Sequence, residues 1–349
     1  MNKHIQIGKH TLGHGLPPYI IAEMSGNHNH DLSRALKIID AAKTAGVHAV
    51  KLQTYTADTI TIDHDGDEFL ITQGLWAGRR LYELYEEAHT PWDWHKAMFD
   101  HAAKLDITIF SSPFDKTAID FLEDLNAPAY KIASFEIVDL PLIRYAASTG
   151  KPIIMSTGIA TKDEIGEAIA AVRDSNNHNL IVLHCVSGYP SDPAEANLMT
   201  MKDIADSFDV LTGLSDHSYG IAVAVAATAL GATVIEKHLT LSRAEGGVDS
   251  DFSLEPQEFA DLATSCATAH GALGQVSYDL KQSEIENQKF RRSLYAVADI
   301  QKGAALSPEN IRSIRPGLGL KPKYFDDIMG KKASRLITRG SPLSWGMLE

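Results

Sequence analysis

Eight short apolar segments, rich in Ile, Val and Leu, occur between residues 18 and 240, and segments with apolar residues at helical spacing separate them. Apolar runs of this length are typical of strands buried on both faces, as in parallel sheets. Alternating strands and helices indicate right-handed crossovers, and eight strands favour a closed barrel over an open sheet. The pattern therefore predicts an α/β fold of the (β/α)8 TIM-barrel type. The segments are PYIIAE (ending at Glu23), HAVKLQ (Gln53), ITIFSS (Ser112), AYKIAS (Ser134), PIIMST (Thr157), LIVLHC (Cys185), VLTGLS (Ser215) and TVIEKH (His238).

The sequence around these strands predicts the rest of the barrel. LSRALKIIDAAKTAG and DEIGEAIAAVRDS are typical of outer helices, and Gly46 stands where the first of them should end. Before the first strand, HIQIGKHTLGHG is typical of a small hairpin that would cap the barrel floor. The stretch from about 58 to 92 is long for a βα connection. Its aromatic residues indicate an ordered segment; they are Trp76, Tyr82, Tyr85 and Trp92.

A second, smaller domain is expected after the barrel. A helix should end near Gly274, and the polar stretch YDLKQSEIENQKF that follows is typical of a linker. We expect a barrel domain over residues 1–278, a linker over 279–290 and a compact domain over 291–349. The last of these has eleven Lys and Arg against five Asp and Glu, a net charge of +6, which leaves −19 for the first 290 residues of a chain with net charge −13. Either the two surfaces are solvated differently, or the basic tail docks on an acidic partner surface such as a second copy of the chain.

Composition excludes several classes of protein. Hydrophobic residues make up 44% of the chain and charged residues 22%, as in globular proteins. The acidic net charge argues against a nucleic-acid partner, and no apolar stretch approaches the ~20 residues that a membrane span needs. The only cysteines are Cys185 and Cys266, whereas a secreted disulfide scaffold would use many more. We therefore expect a cytoplasmic protein without a membrane partner.

Polar residues stand at or just beyond the predicted strand ends, where barrels of this type build their active sites. One such residue means little, because strand ends are polar in any barrel. The joint set, however, is a chemical inventory with carboxylates, ammonium groups, hydroxyls and imidazoles. Its members are Glu23, Lys51, Gln53, Ser112, Lys131, Ser134, Glu136, Ser156, Ser215, His217, Glu236 and His238.

Two histidines in this set indicate a metal centre. His217 and His238 follow the seventh and eighth strands, which are neighbours, so their imidazoles can meet on one divalent metal. Two protein ligands leave open positions for water and substrate, and Glu23 on the first strand lies beside the eighth in a closed barrel. One histidine alone would be interpreted as an ordinary hydrogen-bonded residue, but two on adjacent strands favour a metal.

Two lysines and several serines indicate an anion site. Lys51 and Lys131 stand at the ends of strands two and four, and the serines at the other strand ends add hydrogen-bond donors. A buried lysine can instead form a Schiff base, as in metal-free aldolases. The histidine pair and the hydroxyl groups favour a cradle for phosphate over that alternative.

The run GNHNH supports a rival interpretation. Its His28 and His30 resemble the paired histidines of metal-dependent amidohydrolases. Against this, the run lies in a turn beyond the first strand, and no Asp ends the eighth strand. Asn27 and His28 are better explained as residues that shape the turn or contact substrate.

The same residues resemble the sialic acid synthase family over nearly the whole chain, in IAEMSGNHNH, VKLQTY, SSPFD, YKIASFE, IIMSTG, LHCVSGYP, GLSDHS and IEKHLT. The tail from RRSLYAVADIQKG onward resembles the antifreeze-protein-like (SAF) domain that ends these synthases. The resemblance implies an enzyme that condenses phosphoenolpyruvate with a sugar and uses a divalent metal, Mn²⁺, Mg²⁺ or Co²⁺. It also implies a domain-swapped homodimer in which each tail covers the other subunit's barrel mouth.

The resemblance further implies a role for each site residue. His217 and His238 match the metal ligands, and Glu23 matches the carboxylate associated with the water at the metal. Acidic residues at the sugar are matched by Glu136 and Asp249. An arginine supplied across the dimer is matched by Arg315 of the RPG motif. The substrate pocket is matched by Lys51, Gln53, Ser112, Lys131, Ser134, Ser156, Tyr189 and Ser215.

Within that family, LWAGRRLYELYEEAHTPWDWH and LSRAEGGVDSDFSLEP resemble the pseudaminic acid branch. Neuraminate synthases often have Asn where this chain has Ser187, and a DRxxxGPD stretch where it has SRAEGGVDSDFSLEP around Asp249. Substrates of the branch carry a 6-deoxy methyl and a second acetamido group, which added aromatic surface suits. We therefore expect condensation of phosphoenolpyruvate with 2,4-diacetamido-2,4,6-trideoxy-L-altrose, giving pseudaminic acid and phosphate by metal-assisted C–O cleavage. The alternatives are N-acetylneuraminate or legionaminate synthesis, and a metal-dependent barrel hydrolase.

Overall fold

Two compact units make up the chain. The computed structural model describes residues 1–349, and the units are Met1–Gly274 and Gln275–Glu349. The stretch 279–290, expected to be a linker, belongs to the second unit and contains two short 3-10 turns, Gln282–Glu284 and Glu286–Phe290. No helix combines the length and the apolar character that crossing a membrane requires.

The first unit contains β1 to β10 and α1 to α10, and the second contains the remaining elements. The strands are β1 (His4–Ile7), β2 (His10–Gly13), β3 (Tyr19–Glu23), β4 (Ala49–Thr54), β5 (Thr108–Pro113), β6 (Tyr130–Ile132), β7 (Ile153–Ser156), β8 (Leu180–Cys185), β9 (Leu211–Asp216), β10 (Val234–His238), β11 (Ser293–Ala296) and β12 (Ile311–Ile314). The helices are α1 (Leu32–Thr44), α2 (Ala57–Ile60), α3 (Leu81–Ala88), α4 (Trp92–Lys104), α5 (Lys116–Asp124), α6 (Leu140–Ser148), α7 (Lys162–Asp174), α8 (Met199–Phe208), α9 (Ala222–Ala229), α10 (Pro256–Leu273) and α11 (Phe325–Ile328).

Strands β3 to β10 form a closed parallel barrel in which each strand pairs with the next and β10 pairs with β3. This confirms the predicted (β/α)8 barrel, with all eight segments in the expected order. Closure places His238 opposite Glu23, and Glu23 opposite Lys51 on the other side. The fourth segment differs in one respect, because β6 ends at Ile132 and the backbone then turns in a 3-10 helix, Ser134–Glu136.

The lower half of the barrel interior is apolar. Alternate residues of each strand point inward, and there they pack against Ile5, Ile7 and Leu12 of the β1–β2 hairpin in one buried cluster. The predicted hairpin therefore exists and caps the floor. Burying each large side chain of this kind contributes about 1.5–3 kcal/mol. The barrel members of the cluster are Tyr19, Ile21, Ala49, Phe110, Ala129, Ile154, Ile181, Leu183, Leu211 and Val234.

The outer helices begin and end where the sequence signals stand. The carboxylate of Asp31 accepts a hydrogen bond from the Ser33 amide at the start of α1. Gly46 follows the end of that helix with φ +78°, a left-handed conformation that favours glycine, so its predicted role as a stop is confirmed. Thr161 and Glu164 form a capping box at the start of α7.

The long connection between β4 and β5 is ordered. It contains α2, a 3-10 turn at Asp67–Phe69, α3 and α4. The indole N–H of Trp76 donates to the carbonyl of Val248 at 2.8 Å, and that of Trp92 donates to the carbonyl of Tyr55 at 3.2 Å. These bonds confirm the order that the aromatic content predicted.

The second unit has a core of its own. Strands β11 and β12 pair antiparallel, and short bridges join the rest of the chain around them. Its core lies within residues 294–343, a span that is marginal in size for a single independent core and suits an appendage better than an independent enzyme. The buried members of this core are Leu294, Ala296, Ile300, Leu306, Ile311, Ile328, Ala333, Ile337 and Leu343.

Candidate active site

Charged and hydroxyl side chains fill the upper half of the barrel. They continue the inward-facing alternation that is apolar below: Ile21 is followed by Glu23, Ala49 by Lys51, and Ile154 by Ser156. All of these polar residues are buried. Buried charge is costly unless it is paired or serves a ligand. The mouth of the barrel is therefore the candidate site for binding a charged ligand.

Two lysines meet one carboxylate at the centre of this mouth. Lys131 Nζ lies 3.2 Å from Glu236 Oε1, and Lys51 Nζ lies 3.9 Å from the same oxygen. Lys51 also forms an ion pair with Glu23 and donates to Ser112 Oγ at 3.3 Å. Glu236 of β10 thus holds together two ammonium groups that come from β4 and β6, the strands on either side of β5.

The pKa values of this cluster follow from burial and pairing. Burial lowers the pKa of Lys131, and the nearby carboxylate of Glu236 only partly opposes it. For Glu236, burial alone would raise the pKa, but the ammonium groups of Lys131 and Lys51 outweigh it and hold the pKa below its usual value. Ser215 Oγ donates to Glu236 Oε1 at 3.1 Å and adds to that stabilisation. Glu236 stood among the predicted strand-end residues without a role, and the structure places it at the centre of the site.

The two histidines face each other at the mouth. The rings of His217 and His238 have centroids 5.4 Å apart. His217 Nδ1 donates to the carbonyl of Val186 at 3.0 Å, so Nε2 carries the lone pair. His238 Nδ1 is buried without a hydrogen-bond partner, and burial lowers the pKa of His238 well below its usual value, which keeps the ring neutral. His217 Nε2 and His238 Nδ1 are therefore the ring nitrogens that could hold a divalent metal.

A second carboxylate group lies beside the histidines. Asp249 Oδ2 is 3.8 Å from His238 Nδ1, and Ser25 Oγ donates to the same carboxylate. Glu23 Oε1 accepts from the Ser25 amide at 2.9 Å and from Gln53 Nε2 at 3.2 Å. Burial raises the pKa of Asp249 to about 6. Ser25 thus contacts both carboxylates, although it lies 224 residues before Asp249 in the sequence. The sequence analysis did not identify it as a site residue.

Several buried polar atoms near strand ends have no partner in the protein. They include Ser156 Oγ, Ser187 Oγ and Glu136 Oε2. Burial raises the pKa of Glu136 to about 7. Buried polar atoms are normally satisfied, so unpartnered ones at one mouth are typical of groups that bind a polar ligand. Ser134 differs, because its Oγ accepts a 3.1 Å hydrogen bond from the Gly158 amide.

Aromatic rings line one side of the mouth. The Tyr189 ring lies 4.4 Å from that of His217 and 5.5 Å from those of both Phe252 and Trp76. The Trp76 indole is anchored to the carbonyl of Val248, next to Asp249. We call Trp76, Tyr189 and Phe252 the aromatic wall. Through it, Trp76 of the long β4–β5 connection contacts Tyr189, which in turn contacts His217.

Comparison with known proteins decides the family. A model of the NeuB family matches residues 38–278, and a SAF domain model matches residues 291–349. The chain belongs to the NeuB family. The pseudaminic acid synthase of Helicobacter pylori is 46% identical over 329 residues, which cover 94% of this chain and 97% of that protein. A pseudaminic acid synthase of Campylobacter jejuni is 46% identical over 93% of this chain and 95% of its own length.

A solved structure agrees with this NeuB assignment. The N-acetylneuraminic acid synthetase of Leptospira borgpetersenii, determined with citrate, superimposes with a TM-score of 0.73. It is 32% identical and covers 82% of this chain and 95% of its own. Both the barrel and its SAF appendage, which the sequence predicted, are therefore confirmed by independent comparisons.

The histidines of GNHNH make none of the contacts described above among the lysines, carboxylates and facing histidines of the barrel mouth. His28 Nδ1 accepts from the amide of His30 at 3.2 Å, and its Nε2 lies 3.2 Å from Thr90 Oγ1. His30 Nε2 lies 3.1 Å from the carbonyl of Glu86. Asn27 donates to the carbonyl of Leu239 at 3.0 Å. These residues shape the turn after β3.

Arg315, which the resemblance assigns to a site across the dimer, lies in the second unit just after β12, where its side chain is exposed.

Proposed function

We propose that this chain is a pseudaminic acid synthase, which condenses phosphoenolpyruvate with 2,4-diacetamido-2,4,6-trideoxy-L-altrose to give pseudaminic acid and phosphate. The carrying observation is the buried cluster in which Lys51 and Lys131 converge on Glu236 beside two facing imidazoles. The choice of sugar rests on the 46% identity to two pseudaminic acid synthases, against 32% to a neuraminate synthetase.

Phosphoenolpyruvate binds, in this proposal, where the lysines converge. Lys51 and Lys131 balance its phosphate and carboxylate, and each such contact at about 4 Å is worth roughly 4 kcal/mol at an effective dielectric constant near 20. Hydroxyl groups complete the cradle, since Ser156 Oγ has no partner within the protein. The hydroxyl groups assigned to this cradle are those of Ser112, Ser134, Ser156 and Ser215.

The histidine pair is assigned to a divalent metal, Mn²⁺, Mg²⁺ or Co²⁺. Such a metal supplies a Lewis acid that polarises the aldehyde of the open-chain sugar. His217 Nε2 and the unpartnered His238 Nδ1 are the nitrogens available to hold it. The carbonyl of Val186 fixes the His217 tautomer that this requires.

Two proton transfers of the proposed reaction are assigned to carboxyl groups. A carbon–carbon bond forms between C3 of phosphoenolpyruvate and the aldehyde carbon, and Glu136 gives a proton to the aldehyde oxygen. Water adds at C2, and Glu23, held by Ser25 and Gln53, takes a proton from it. Cleavage of the bond between C2 and the phosphate oxygen then releases phosphate, which takes the proton of the new C2 hydroxyl group, and leaves the keto group. Asp249 binds sugar hydroxyl groups.

The aromatic wall is assigned to selection of the sugar. Tyr189 and Trp76 offer an apolar surface next to the histidine pair, against which the 6-deoxy methyl group packs. One methyl group in an apolar pocket is worth about 1–3 kcal/mol of discrimination. A sugar with a hydroxyl group at that position would lose part of that energy by desolvation.

The second unit is assigned a role across a cytoplasmic homodimer, in which Arg315 of one copy completes the barrel mouth of the other. Mixing Arg315→Ala with the barrel variant Lys131→Met tests this directly. A heterodimer of the two variants has one intact site, so a refolded equal mixture should regain about a quarter of the wild-type rate. No recovery, with heterodimers demonstrated by mass spectrometry, contradicts the exchange.

Phosphate release by chelator-treated protein tests the reaction itself. With manganese, release should occur with the altrose and be far slower with N-acetylmannosamine. In H₂¹⁸O, the label should enter the keto acid and not the phosphate. Release with N-acetylmannosamine alone would move the assignment to neuraminate, and label in the phosphate would overturn C–O cleavage.

A further inference from the structure

A buried ion pair lies directly behind the histidine pair, on the outer surface of the barrel wall. Lys237 Nζ is 2.9 Å from Asp216 Oδ2, and both side chains are almost fully buried. Lys237 also donates to the carbonyl of Ser218. Asp216 Oδ1 in turn accepts from the Ser218 amide at 2.9 Å and from its hydroxyl at 2.7 Å.

These contacts connect the residues that flank both proposed metal ligands. Asp216 and Ser218 are the neighbours of His217 on each side, and Lys237 precedes His238. The backbone pairing of β9 with β10 ends at Asp216 opposite Lys237. His217 and His238 therefore lie one residue beyond the last position at which β9 and β10 pair, although His238 still pairs with Glu23 of β3 on its other side. Backbone hydrogen bonds between β9 and β10 do not fix the separation of the two histidines, so side-chain contacts between the strands can contribute to it.

Stability alone is a poor explanation for this pair. Replacing a buried ion pair with neutral groups of similar volume is often neutral or stabilising, because both charges lose their hydration. A network that spans both neighbours of one imidazole and the neighbour of the other does, however, fix their separation. Replacing a residue that hydrogen-bonds to a metal ligand commonly weakens metal affinity by about 10–100-fold, and we expect the same order for residues that hold the backbone beside both ligands.

We propose that Lys237 and Asp216 are positioning residues that hold His217 and His238 at the separation needed to bind a divalent metal. This inference rests on the proposed function, since it presupposes that the two histidines hold the metal. Neither residue touches substrate. Their effect is expected on metal affinity, and through it on the rate at limiting metal.

The test compares the double variant Lys237→Met/Asp216→Asn with wild type. The double variant removes the ion pair without leaving one buried charge alone, so it is the form expected to fold. After chelation, its dissociation constant for Mn²⁺, measured by calorimetry and electron paramagnetic resonance, should rise about 10–100-fold. Phosphate release should fall at micromolar Mn²⁺ and recover at saturating Mn²⁺, and the melting temperature without metal should hardly change. The matched control is the exposed pair Lys162–Asp203, at 2.7 Å, replaced in the same way and expected to change nothing.

The outcomes separate the two proposals. Wild type that binds Mn²⁺ and a folded double variant that binds it equally well would overturn the positioning role and leave the metal centre standing. Wild type that binds no Mn²⁺ would overturn the metal centre, and the positioning role with it. Ser218→Ala keeps the ion pair and removes only the 2.7 Å hydroxyl bond, so a few-fold weaker affinity is expected. If the double variant does not fold, unchanged affinity in Ser218→Ala overturns the proposal.

Discussion

The floor and the mouth of the barrel are made by the same eight strands but differ in what they do with their inward-facing positions. On β7, Ile154 belongs to the apolar floor and Ser156, two residues later, belongs to the polar mouth. The floor is almost wholly apolar, and the Tyr19 hydroxyl group is its one buried polar atom without a partner, whereas the mouth contains several such atoms. Two successive inward-facing residues of one strand thus serve different purposes, because Ile154 stabilises the fold and Ser156 lines the candidate site.

Lys131→Met should break the mouth and leave the floor intact. Removing one ammonium group about 4 Å from a bound anion costs roughly 4 kcal/mol, or about a thousandfold in kcat/KM for phosphoenolpyruvate. Steady-state phosphate release checks this, with thermal unfolding as the measure of the fold. The control Lys202→Met removes an exposed lysine that pairs with Asp206 at 2.7 Å and should leave both values unchanged. If kcat/KM for phosphoenolpyruvate falls less than tenfold, Lys131 is not part of the anion cradle.

Ile154→Ala should do the reverse. Truncating a fully buried Ile leaves a cavity and costs about 3 kcal/mol of unfolding free energy. Denaturant unfolding measures that loss. At temperatures where the variant is folded, kcat should stay within a few-fold of wild type, because no atom of the mouth is removed. A thousandfold loss of kcat in the folded variant would show that floor and mouth are not separable.

Ser156→Ala makes the comparison sharper because it lies on the same strand. Its hydroxyl has no partner in the protein, so its removal should not lower the melting temperature. A hydrogen bond to a charged ligand is worth about 1.5–3 kcal/mol, which predicts a 10–100-fold loss in kcat/KM for phosphoenolpyruvate. Unfolding and steady-state kinetics on one preparation check both parts. A lowered melting temperature with unchanged kinetics would make Ser156 a structural residue.

The floor could be predicted from sequence more completely than the mouth. Apolar runs and a hairpin signal are local, so the eight strands, their order and the cap at Ile5, Ile7 and Leu12 followed directly. The histidines on neighbouring strands were also found, because adjacency is implied by chain order. The family resemblance supplied most of the individual roles.

Contacts that join distant strands could not be predicted. Lys131 on β6 and Glu236 on β10 meet only because the barrel closes around them. The contact of Ser25 with Asp249 depends on where two loops lie in space. Nothing in the sequence distinguishes Lys237 from other strand residues, and only its burial and its three oxygen contacts do so.

Trp76→Ala tests whether the aromatic wall selects the sugar. Loss of the ring should lower kcat/KM for the 6-deoxy sugar about tenfold relative to a 6-hydroxy analogue, since one methyl contact is worth about 1–3 kcal/mol. The measurement is the ratio of the two kcat/KM values, which cancels any general loss of activity. Trp92→Ala is the control, because that indole bonds to Tyr55 and stacks on Phe121 at 4.8 Å. Equal effects of both variants on the ratio would argue against selection by Trp76.

The smallest effect expected is a pH dependence that belongs to the mouth alone. Burial raises the pKa of Glu136 to about 7, so the carboxyl group keeps its proton below pH 7 and loses it above. If the protonated form gives its proton to the aldehyde oxygen, turnover should fall about threefold between pH 6.5 and 7.5. Stopped assays of phosphate release at saturating phosphoenolpyruvate and metal follow this limb, which Glu136→Gln should flatten at a lower rate. A limb that persists in Glu136→Gln would assign the proton to another group.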